Sequence, residues 1–423
     1  MSMNNDTIKA LVFDYGGVLM RTVDPTARRE LEQQFNLDRG QAEELVYGNP
    51  RWDDVQQGRM ESGAFWADVG ARLGLDAGEV QMFRRGFFSG DRLDRELMDL
   101  IRHLRRQGYR TALLSNAPAG LNQRLHGLGI ADAFDVVVIS GAEGVVKPEP
   151  EIYQHMLDRL GVAARQTVFI DDMRVNVEAA RRVGLHALRF RGLGPLRTRL
   201  RDLGLPIPEL DLTPLADVRA VIFDWGGVME ALPAEADVAA WERRLAVASG
   251  VLAQVLWGDA WRKLAVGAIS DETYAQHVAD RLGLPDQEAA LAFLQSFYTS
   301  DRFHQTMMDA ARRLRGRYKV AVLSNAFPTQ SETIREHYGI DVCAEFDVYV
   351  NSAEVGLSKP DPRIYGLTLE RLAVAPEQAI FLDDSLRNVD SARHLGIHTI
   401  QVGDPETALG ELEALLGHSV TAD

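Results

Sequence analysis

Two aspartates of this chain are placed where a carboxylate could act as a nucleophile. Asp14 and Asp224 each follow four apolar residues and precede, one residue further on, a pair of glycines. A carboxylate at the end of a strand can attack phosphorus, provided that a cation offsets its repulsion from the phosphoryl oxygens. Aspartates in such positions also form Asx-turns and helix N-caps, so neither motif decides the matter alone.

A Ser-Asn pair and, later, a lysine follow in each half of the chain. The hydroxyl and the amide could hold a phosphoryl oxygen, although such pairs also cap helices. The lysine offers a compact ammonium group that could reach the phosphoryl group and the nucleophile. These residues are Ser115, Asn116 and Lys147 in the first half, and Ser324, Asn325 and Lys359 in the second.

Two adjacent aspartates end a further apolar run in each half, at Asp171-Asp172 and at Asp383-Asp384. Helix capping needs one carboxylate, whereas an adjacent pair at the ligand edge of a sheet suits Mg²⁺, which prefers oxygen ligands. An asparagine one helical turn later could orient these carboxylates. The two asparagines are Asn176 and Asn388.

All four motifs occur twice, in the same order, with copies separated by 209 to 212 residues. A period of this length indicates a whole domain duplicated in tandem rather than a solenoid repeat. Each motif alone has a structural alternative, but the repeated set points to one kind of site. The duplication also provides two independent versions of that site in one chain.

The elements that must position these residues are short apolar runs alternating with helical patterns. This alternation predicts an α/β fold: two tandem Rossmann-like, doubly wound parallel sheets whose ligands bind at the carboxyl ends of the strands. Each candidate residue lies at or beyond such an end. The predicted strands are residues 10–13, 111–114, 136–139, 168–170 and 187–190, then 220–223, 320–323, 348–350, 379–382 and 399–402.

The segments between the first two motifs contain amphipathic helices and no convincing strands, which predicts a helical cap inserted in each domain. Trp52 and Trp261 occupy matching positions, and we expect them to fill the cap cores rather than contact substrate. A proline-rich stretch reads as a short, fairly stiff linker. The predicted boundaries are 1–204 with a cap at about 20–92, a linker at 205–216, and 217–423 with a cap at about 230–300.

Composition limits the possible partners and location. The net charge of −15 disfavours non-specific binding of nucleic acid, and no apolar run is long enough to cross a bilayer. Cys343 is the only cysteine, and the first residues lack the pattern of a secretory signal, so we expect a cytoplasmic protein. The expected partner is a small phosphorylated substrate. The oligomeric state is left open, as is pairing of the two domains within the chain.

The repeated motifs resemble those of the haloacid dehalogenase superfamily, specifically its phosphatases with a helical cap after the first strand. The resemblance covers nearly the whole chain, as two copies. It implies that Asp14 and Asp224 are nucleophiles that become aspartyl-phosphates, and that the Ser-Asn pairs and lysines are catalytic. It also implies Mg²⁺ bound by Asp14, Gly16, Asp171 and Asp172 in the first copy and by Asp224, Gly226, Asp383 and Asp384 in the second.

Both copies depart from the family pattern at the same place. Phosphatases of this family usually carry a second aspartate two residues after the nucleophile, where this chain has Gly16 and Gly226. By the resemblance, the backbone carbonyl at this position binds the metal, which glycine can still do. The missing side chain protonates the leaving group, a contribution typically worth about 10²–10⁴-fold in rate.

Three functions remain compatible with this departure. The domains could hydrolyse phosphates with good leaving groups, such as sugar 1-phosphates, acyl phosphates or phosphoanhydrides. One or both could instead bind phosphorylated ligands with little turnover, as a regulatory pseudophosphatase. Dehalogenation is the third reading, disfavoured because the acidic pair would repel a halide. The flanks of the two sites also differ, for example Tyr15 against Trp225 and Arg174 against Leu386, which allows different substrates or one weaker site.

Overall fold

The computed structural model describes residues 7–208, 212–298 and 303–421. It divides into two compact units, Met1–Leu210 and Asp211–Asp423. The predicted linker at 205–216 includes residues 209–211, which lie outside the described residues, as do residues 1–6 and residues 299–300 of the second predicted cap. The linker and cap boundaries stay predictions.

The first unit contains seven strands and eleven α-helices among its described residues. The strands are β1 (Ala10–Phe13), β2 (Met20–Thr22), β3 (Asp91–Leu93), β4 (Arg110–Ser115), β5 (Val136–Ile139), β6 (Thr167–Asp171) and β7 (His186–Arg189). The helices are α1 (Thr26–Gln34), α2 (Gln41–Tyr47), α3 (Pro50–Gln56), α4 (Ser62–Leu73), α5 (Ala77–Ser89), α6 (Arg95–Arg106), α7 (Leu121–Gly127), α8 (Ser140–Glu143), α9 (Pro150–Leu160), α10 (Arg174–Arg182) and α11 (Leu193–Asp202).

The second unit repeats the order of the five sheet strands, and its described part has no named strands that match β2 and β3. Its strands are β8 (Ala220–Phe223), β9 (Lys319–Ser324), β10 (Val348–Asn351), β11 (Ala379–Asp383) and β12 (His398–Gln401). Its helices are α12 (Glu235–Arg244), α13 (Val251–Trp257), α14 (Asp259–Leu264), α15 (Asp271–Leu282), α16 (Gln287–Tyr298), α17 (Gln305–Leu314), α18 (Gln330–Tyr338), α19 (Val342–Glu345), α20 (Ser352–Val355), α21 (Pro362–Leu372), α22 (Leu386–His394) and α23 (Pro405–Leu416).

Each unit is built on a parallel five-stranded sheet. The strand order is β5-β4-β1-β6-β7 in the first and β10-β9-β8-β11-β12 in the second. Every residue of the central strands β1 and β8 is buried, because helices cover both faces of such a sheet. The continuous apolar runs of the sequence therefore became strands, and the predicted fold class is confirmed.

Strands occur where none was predicted. β2 and β3 pair as an antiparallel two-stranded ribbon that flanks the first cap, with Met20 opposite Leu93. The expectation that the stretch between the first two motifs has no strand is therefore wrong for this unit. Each strand has only three residues, too few for an alternating pattern to stand out from the neighbouring loops. In the second unit, an isolated bridge joins Glu230 and Phe303 in the same place.

Five helices form the cap of each unit, α1–α5 and α12–α16, and each cap has its own apolar core. Trp52 and Trp261 pack against these cores, with their rings 5.2 Å from Phe65 and 6.0 Å from Tyr274. Their sequence-based interpretation as cap-core residues fits this placement. No helix in the described ranges is both long and apolar enough to span a membrane.

Candidate active site

The sheet topology brings three of the four motifs together at one edge. β1 lies between β4 and β6, and all three strands are parallel. Asp14 follows β1, Ser115 ends β4 and Asp171 ends β6. The backbone N–H of Asp14 donates to the carbonyl of Ile170 at 2.9 Å, which extends the pairing to the nucleophile position. The motif residues therefore meet at the carboxyl ends of three adjacent strands.

The remaining motif, the lysine, supplies a buried cation that joins two of these carboxylates. The Nζ atom of Lys147 lies 2.9 Å from Oδ1 of Asp14 and 2.6 Å from Oδ2 of Asp171. In the second unit, Nζ of Lys359 lies 2.6 Å from Asp224 Oδ1 and 2.7 Å from Asp383 Oδ2. Both lysines are almost fully buried. A buried cation between carboxylates offsets their mutual repulsion.

The carboxylate of Asp171 is held by donors on both oxygens. The backbone N–H of Met173 donates to Oδ1 at 2.8 Å, and Nδ2 of Asn176 lies 3.1 Å from each oxygen. The Lys147 ammonium adds a further donor to Oδ2. Asp171 is thereby fixed as a support for Lys147, and it has less capacity to bind a metal directly than the sequence suggested.

The side chain of Asn116 hydrogen-bonds the backbone of Lys147. Its Oδ1 accepts from the Lys147 backbone N–H at 2.8 Å, and its Nδ2 donates to the Lys147 carbonyl at 2.8 Å. Asn325 makes the same pair of bonds to Lys359. The amide carbonyl and one of the two amide N–H donors are therefore engaged in placing the lysine, which leaves one N–H for another acceptor. The Lys147-Pro148 and Lys359-Pro360 peptide bonds are both cis.

Asp172 packs against the loop that follows the nucleophile. Gly17 has φ +76°, and a Cβ atom there would collide with the Asp172 carboxylate. Gly227 has φ +82° and stands in the same relation to Asp384. The second glycine of each Gly-Gly pair is thus required twice over, by its backbone conformation and by the close approach of the carboxylate.

The carboxylates of each site form a group with the dimensions of a metal site. Ligand oxygens of Asp14, Asp171 and Asp172 lie within 4.8 Å of one another, and those of Asp224, Asp383 and Asp384 do the same. Carboxylate oxygens are the donors that a hard divalent cation prefers. Oδ1 of Asp14 already accepts from the backbone N–H of Tyr15 at 2.7 Å and from Lys147, which leaves Oδ2 for a metal or a phosphorus atom.

Burial and mutual repulsion alter the titration of these groups. Burial raises the pKa of Asp14 to about 7, against the opposing effect of Lys147, and Asp171 adds to the rise. Burial likewise raises the pKa of Asp224 well above its usual range and that of Asp384 to about 6. Burial alone would lower the pKa of Lys147, but Asp14 and Asp171 raise it. Concentrated negative charge of this kind is what a cation would stabilise.

The glycine that replaces the expected acid has room for a side chain. Gly16 and Gly226 are absent from the positive-φ glycines of the described chain. A Cβ at Gly16 would have nothing within 4 Å, and at Gly226 it would lie 3.5 Å from Leu232 Cδ2. A left-handed backbone therefore does not explain these glycines.

Two supporting tyrosines were not singled out as functional from the sequence. The hydroxyl of Tyr153 donates to the carbonyl of Asn176 at 3.0 Å, and Tyr365 donates to the carbonyl of Asn388 at 3.0 Å. Both rings are fully buried in the core. They tie α9 to α10, and α21 to α22, at the turn that carries the asparagine. The repeated Ile-Tyr pair that follows each Lys-Pro in the sequence could have indicated these tyrosines.

Comparisons with known proteins agree with this arrangement. The family model for haloacid dehalogenase-like hydrolases matches the chain twice, over residues 8–184 and 218–396. Acyl-CoA dehydrogenase family member 10 of Mus musculus is 39% identical over 212 residues, which are 47% of this chain and 19% of the mouse protein. The chain therefore spans only a fifth of that relative.

Two shorter proteins match over most of their length. The sesquiterpene phosphatase astK of Aspergillus oryzae is 31% identical over 186 residues, 44% of this chain and 90% of that protein. The solved structure of a "predicted HAD-like family hydrolase" from Porphyromonas gingivalis is 28% identical, with TM-score 0.39, and covers 46% of this chain and 98% of that one. The repeated family match agrees with the five-stranded sheet and the site that each unit contains. The chain belongs to the haloacid dehalogenase-like hydrolases, with two such domains in tandem.

Proposed function

We propose that each domain is a Mg²⁺-dependent phosphohydrolase that acts through an aspartyl-phosphate on a small phosphorylated metabolite with a good leaving group. The observation that carries this proposal is the duplicated cluster of a nucleophile-position aspartate, a buried lysine and an acidic pair. A site that serves only to bind could lose one of these groups, and neither copy has lost any.

The fit of a divalent cation to this site rests on its oxygen donors. Asp172, one carboxylate oxygen of Asp14 and the backbone carbonyl of Gly16 would hold Mg²⁺ in the first domain; Asp384, Asp224 and Gly226 would hold it in the second. When bound, Mg²⁺ offsets charge on the phosphoryl oxygens during attack. Asp171 and Asp383 support the lysines and contribute negative charge beside the metal.

The chain's own residues supply the rest of the reaction. The other carboxylate oxygen of Asp14 attacks phosphorus, the bond from phosphorus to the leaving-group oxygen breaks, and that oxygen departs with the electron pair. Lys147, fixed by Asn116 and Asp171, opposes the rise in the pKa of Asp14 that burial causes, and it neutralises charge as the phosphoryl group transfers. Ser115 lies at the adjacent strand end and can donate to a phosphoryl oxygen. Water then attacks phosphorus, the bond from phosphorus to the Asp14 oxygen breaks, and phosphate leaves with the oxygen and protons of the water, which restores the Asp14 carboxylate.

Absence of an acid beside the leaving group selects the substrate. The Gly16 and Gly226 positions offer no carboxylate to protonate a departing oxygen. Leaving groups that are stable as anions, such as those of acyl phosphates, sugar 1-phosphates and phosphoanhydrides, need this help least. The Aspergillus oryzae relative is a sesquiterpene phosphatase, which adds phosphates of apolar alcohols to the substrates worth assaying.

The competing functions make different predictions for the same variants. Asp14→Asn and Asp224→Asn should each remove one component of Mg²⁺-dependent phosphate release, and the double variant should be inert. A regulatory pseudophosphatase would bind phosphorylated ligands in all of these proteins with negligible turnover in the parent. Halide release from haloacids by the parent protein would favour the dehalogenase. Undiminished phosphate release by the double variant would show that the chemistry lies elsewhere.

A further inference from the structure

We propose that the two sites take leaving groups of opposite character: the second domain accepts an apolar chain, and the first accepts a polar group. This inference rests on the proposed phosphohydrolase function and assigns a substrate class to each half. It follows from the residues that line the boundary between cap and sheet beside each nucleophile, compared at matching positions of the duplication.

Backbone contacts fix which positions match. Asp94 donates its N–H to the Leu19 carbonyl, and His304 donates to Met229 in the same way, each 210 residues later. In the caps, Glu32 accepts from the N–H groups of Gly40 and Ala42, and Glu242 accepts from those of Gly250 and Leu252. The same offset of 210 therefore applies across this whole region.

The wall of the first site is charged and hydrogen-bonded. The Arg28 guanidinium donates to Thr22 Oγ1 at 2.8 Å and to Asp91 Oδ1 at 3.2 Å, and Thr22 donates to Asp91 at 2.7 Å. Arg28 also binds the carboxylate of Glu43 and lies over the Phe87 ring. The Arg28 and Asp91 side chains are only 8% and 10% exposed, so they already satisfy one another, and an alkyl chain beside them would bury less apolar surface than it would against aliphatic side chains.

The wall of the second site has apolar residues at three of the four matching positions. Leu232 replaces Thr22, Val238 replaces Arg28 and Ala253 replaces Glu43. The fourth position keeps its carboxylate, because Asp301 matches Asp91, but it no longer has an arginine to match Arg28; residue 301 lies outside the described residues. Trp225 replaces Tyr15 and packs on Phe303, with ring centroids 6.1 Å apart. Glu230 is a charged residue in this region, but its carboxylate accepts a hydrogen bond from the Trp225 indole at 3.0 Å.

Leu232 is the residue of this wall that lies near the nucleophile. Its Cδ2 atom lies 3.5 Å from the point where a side chain on Gly226 would begin, two residues after the nucleophile. By the resemblance to the family's phosphatases, whose acid at this position protonates the leaving group, that is the side of the site where the leaving group departs. Leu232 is 47% exposed, so its side chain is open to contact with a ligand.

The test measures how rate depends on chain length in each site alone. Asp14→Asn leaves only the second site active, and Asp224→Asn leaves only the first. Phosphate release is followed for 4-n-alkylphenyl phosphates from methyl to hexyl, whose leaving groups have nearly the same acidity. In Asp14→Asn, kcat/KM should rise about two- to four-fold per methylene, four-fold being the value for full burial. In Asp224→Asn it should stay level or fall.

Matched variants locate the effect. In the Asp14→Asn background, Leu232→Thr should flatten the chain-length dependence and Leu232→Met should retain it. Leu291→Thr makes the same change at another leucine of similar exposure, on α16 in the cap, and should leave the dependence unaltered. Equal slopes in the two single-site proteins, or a slope unaffected by Leu232→Thr, would overturn the assignment of leaving groups.

Failure of the underlying function gives a different result. If neither single-site protein releases phosphate from any member of the series, the proposed hydrolase activity is wrong. The leaving-group assignment is then tested by titrating ethylphosphonate and decylphosphonate, with Mg²⁺, into Asp172→Ala, which retains the second site, and Asp384→Ala, which retains the first. Tighter binding of decylphosphonate in Asp172→Ala alone supports the assignment, and equal preference in both proteins overturns it.

Discussion

Restoring the missing carboxylate is the sharpest perturbation of the reaction. Gly16→Asp, made in the Asp224→Asn background, places an acid beside the leaving group of the first site. The backbone there is not left-handed, and a Cβ would have nothing within 4 Å, so the loop can accept the side chain. The variant therefore tests catalysis without a predicted cost in folding.

The expected magnitude follows from the role of the acid. General acid catalysis is typically worth about 10²–10⁴-fold, and the gain should fall on substrates whose leaving groups need a proton. We expect kcat/KM for a simple alkyl phosphate to rise by about that factor in Gly16→Asp. Activated aryl and acyl phosphates should change little, so the dependence of rate on leaving-group pKa should become flatter.

The assay compares kcat/KM across phosphates of graded leaving-group pKa, with Mg²⁺ affinity measured by calorimetry on the same proteins. Gly16→Ala separates the effect of any side chain from that of the carboxylate. Gly17→Asp is the matched negative control, because φ +76° and the contact with Asp172 exclude a side chain there. The reasoning is refuted if the parent already shows a flat dependence, or if Gly16→Asp keeps its Mg²⁺ affinity and leaves the steep dependence unchanged.

Further predictions concern the metal, the lysine and the buried tyrosine. Asp172→Ala should lose more Mg²⁺ affinity than Asn176→Ala, for which a loss of about 10- to 100-fold is expected, and calorimetry with equal losses would contradict direct ligation by Asp172. Lys147→Met should destabilise the Mg²⁺-free first domain by about 3–5 kcal/mol in urea unfolding, because Asp14 and Asp171 lose their buried partner, and added Mg²⁺ should recover part of this. Tyr153→Phe should cost about 1 kcal/mol through the lost bond to Asn176, and an unchanged urea midpoint would show that this bond contributes nothing.

Much of the fold could be predicted from the sequence, because its central strands are buried on both faces and are therefore continuous apolar runs. Runs such as residues 10–13 and 220–223 coincide with β1 and β8. The longer central strands extend one residue beyond their predicted ends, for instance β4 from Arg110 to Ser115, because polar residues at a strand end can keep the pairing. β2 and β3 escaped detection because three-residue strands are defined by their partner, which sequence pattern does not reveal.

The sequence predicted which residues lie in the candidate site better than it predicted their contacts. The motifs named the residues that the structure gathers, but hydrogen-bond partners depend on side-chain placement. Asn116, for example, binds both backbone groups of Lys147, a pairing that the sequence did not indicate. Glycine is required at Gly17 and not at Gly16, because Asp172 approaches Gly17 closely. That approach is a tertiary contact, which the sequence did not indicate. Such contacts join residues far apart in the chain, and one sequence cannot fix their geometry.

The most direct test of the account is to locate the phosphoryl group on the protein during turnover. Parent protein is mixed with Mg²⁺ and an acyl phosphate, quenched in acid within one turnover, digested and mapped by mass spectrometry. The account predicts phosphorylation of the peptides at Asp14 and Asp224, absent without Mg²⁺ and lost singly in Asp14→Asn and Asp224→Asn. Steady phosphate release with the phosphoryl group on neither aspartate would contradict it.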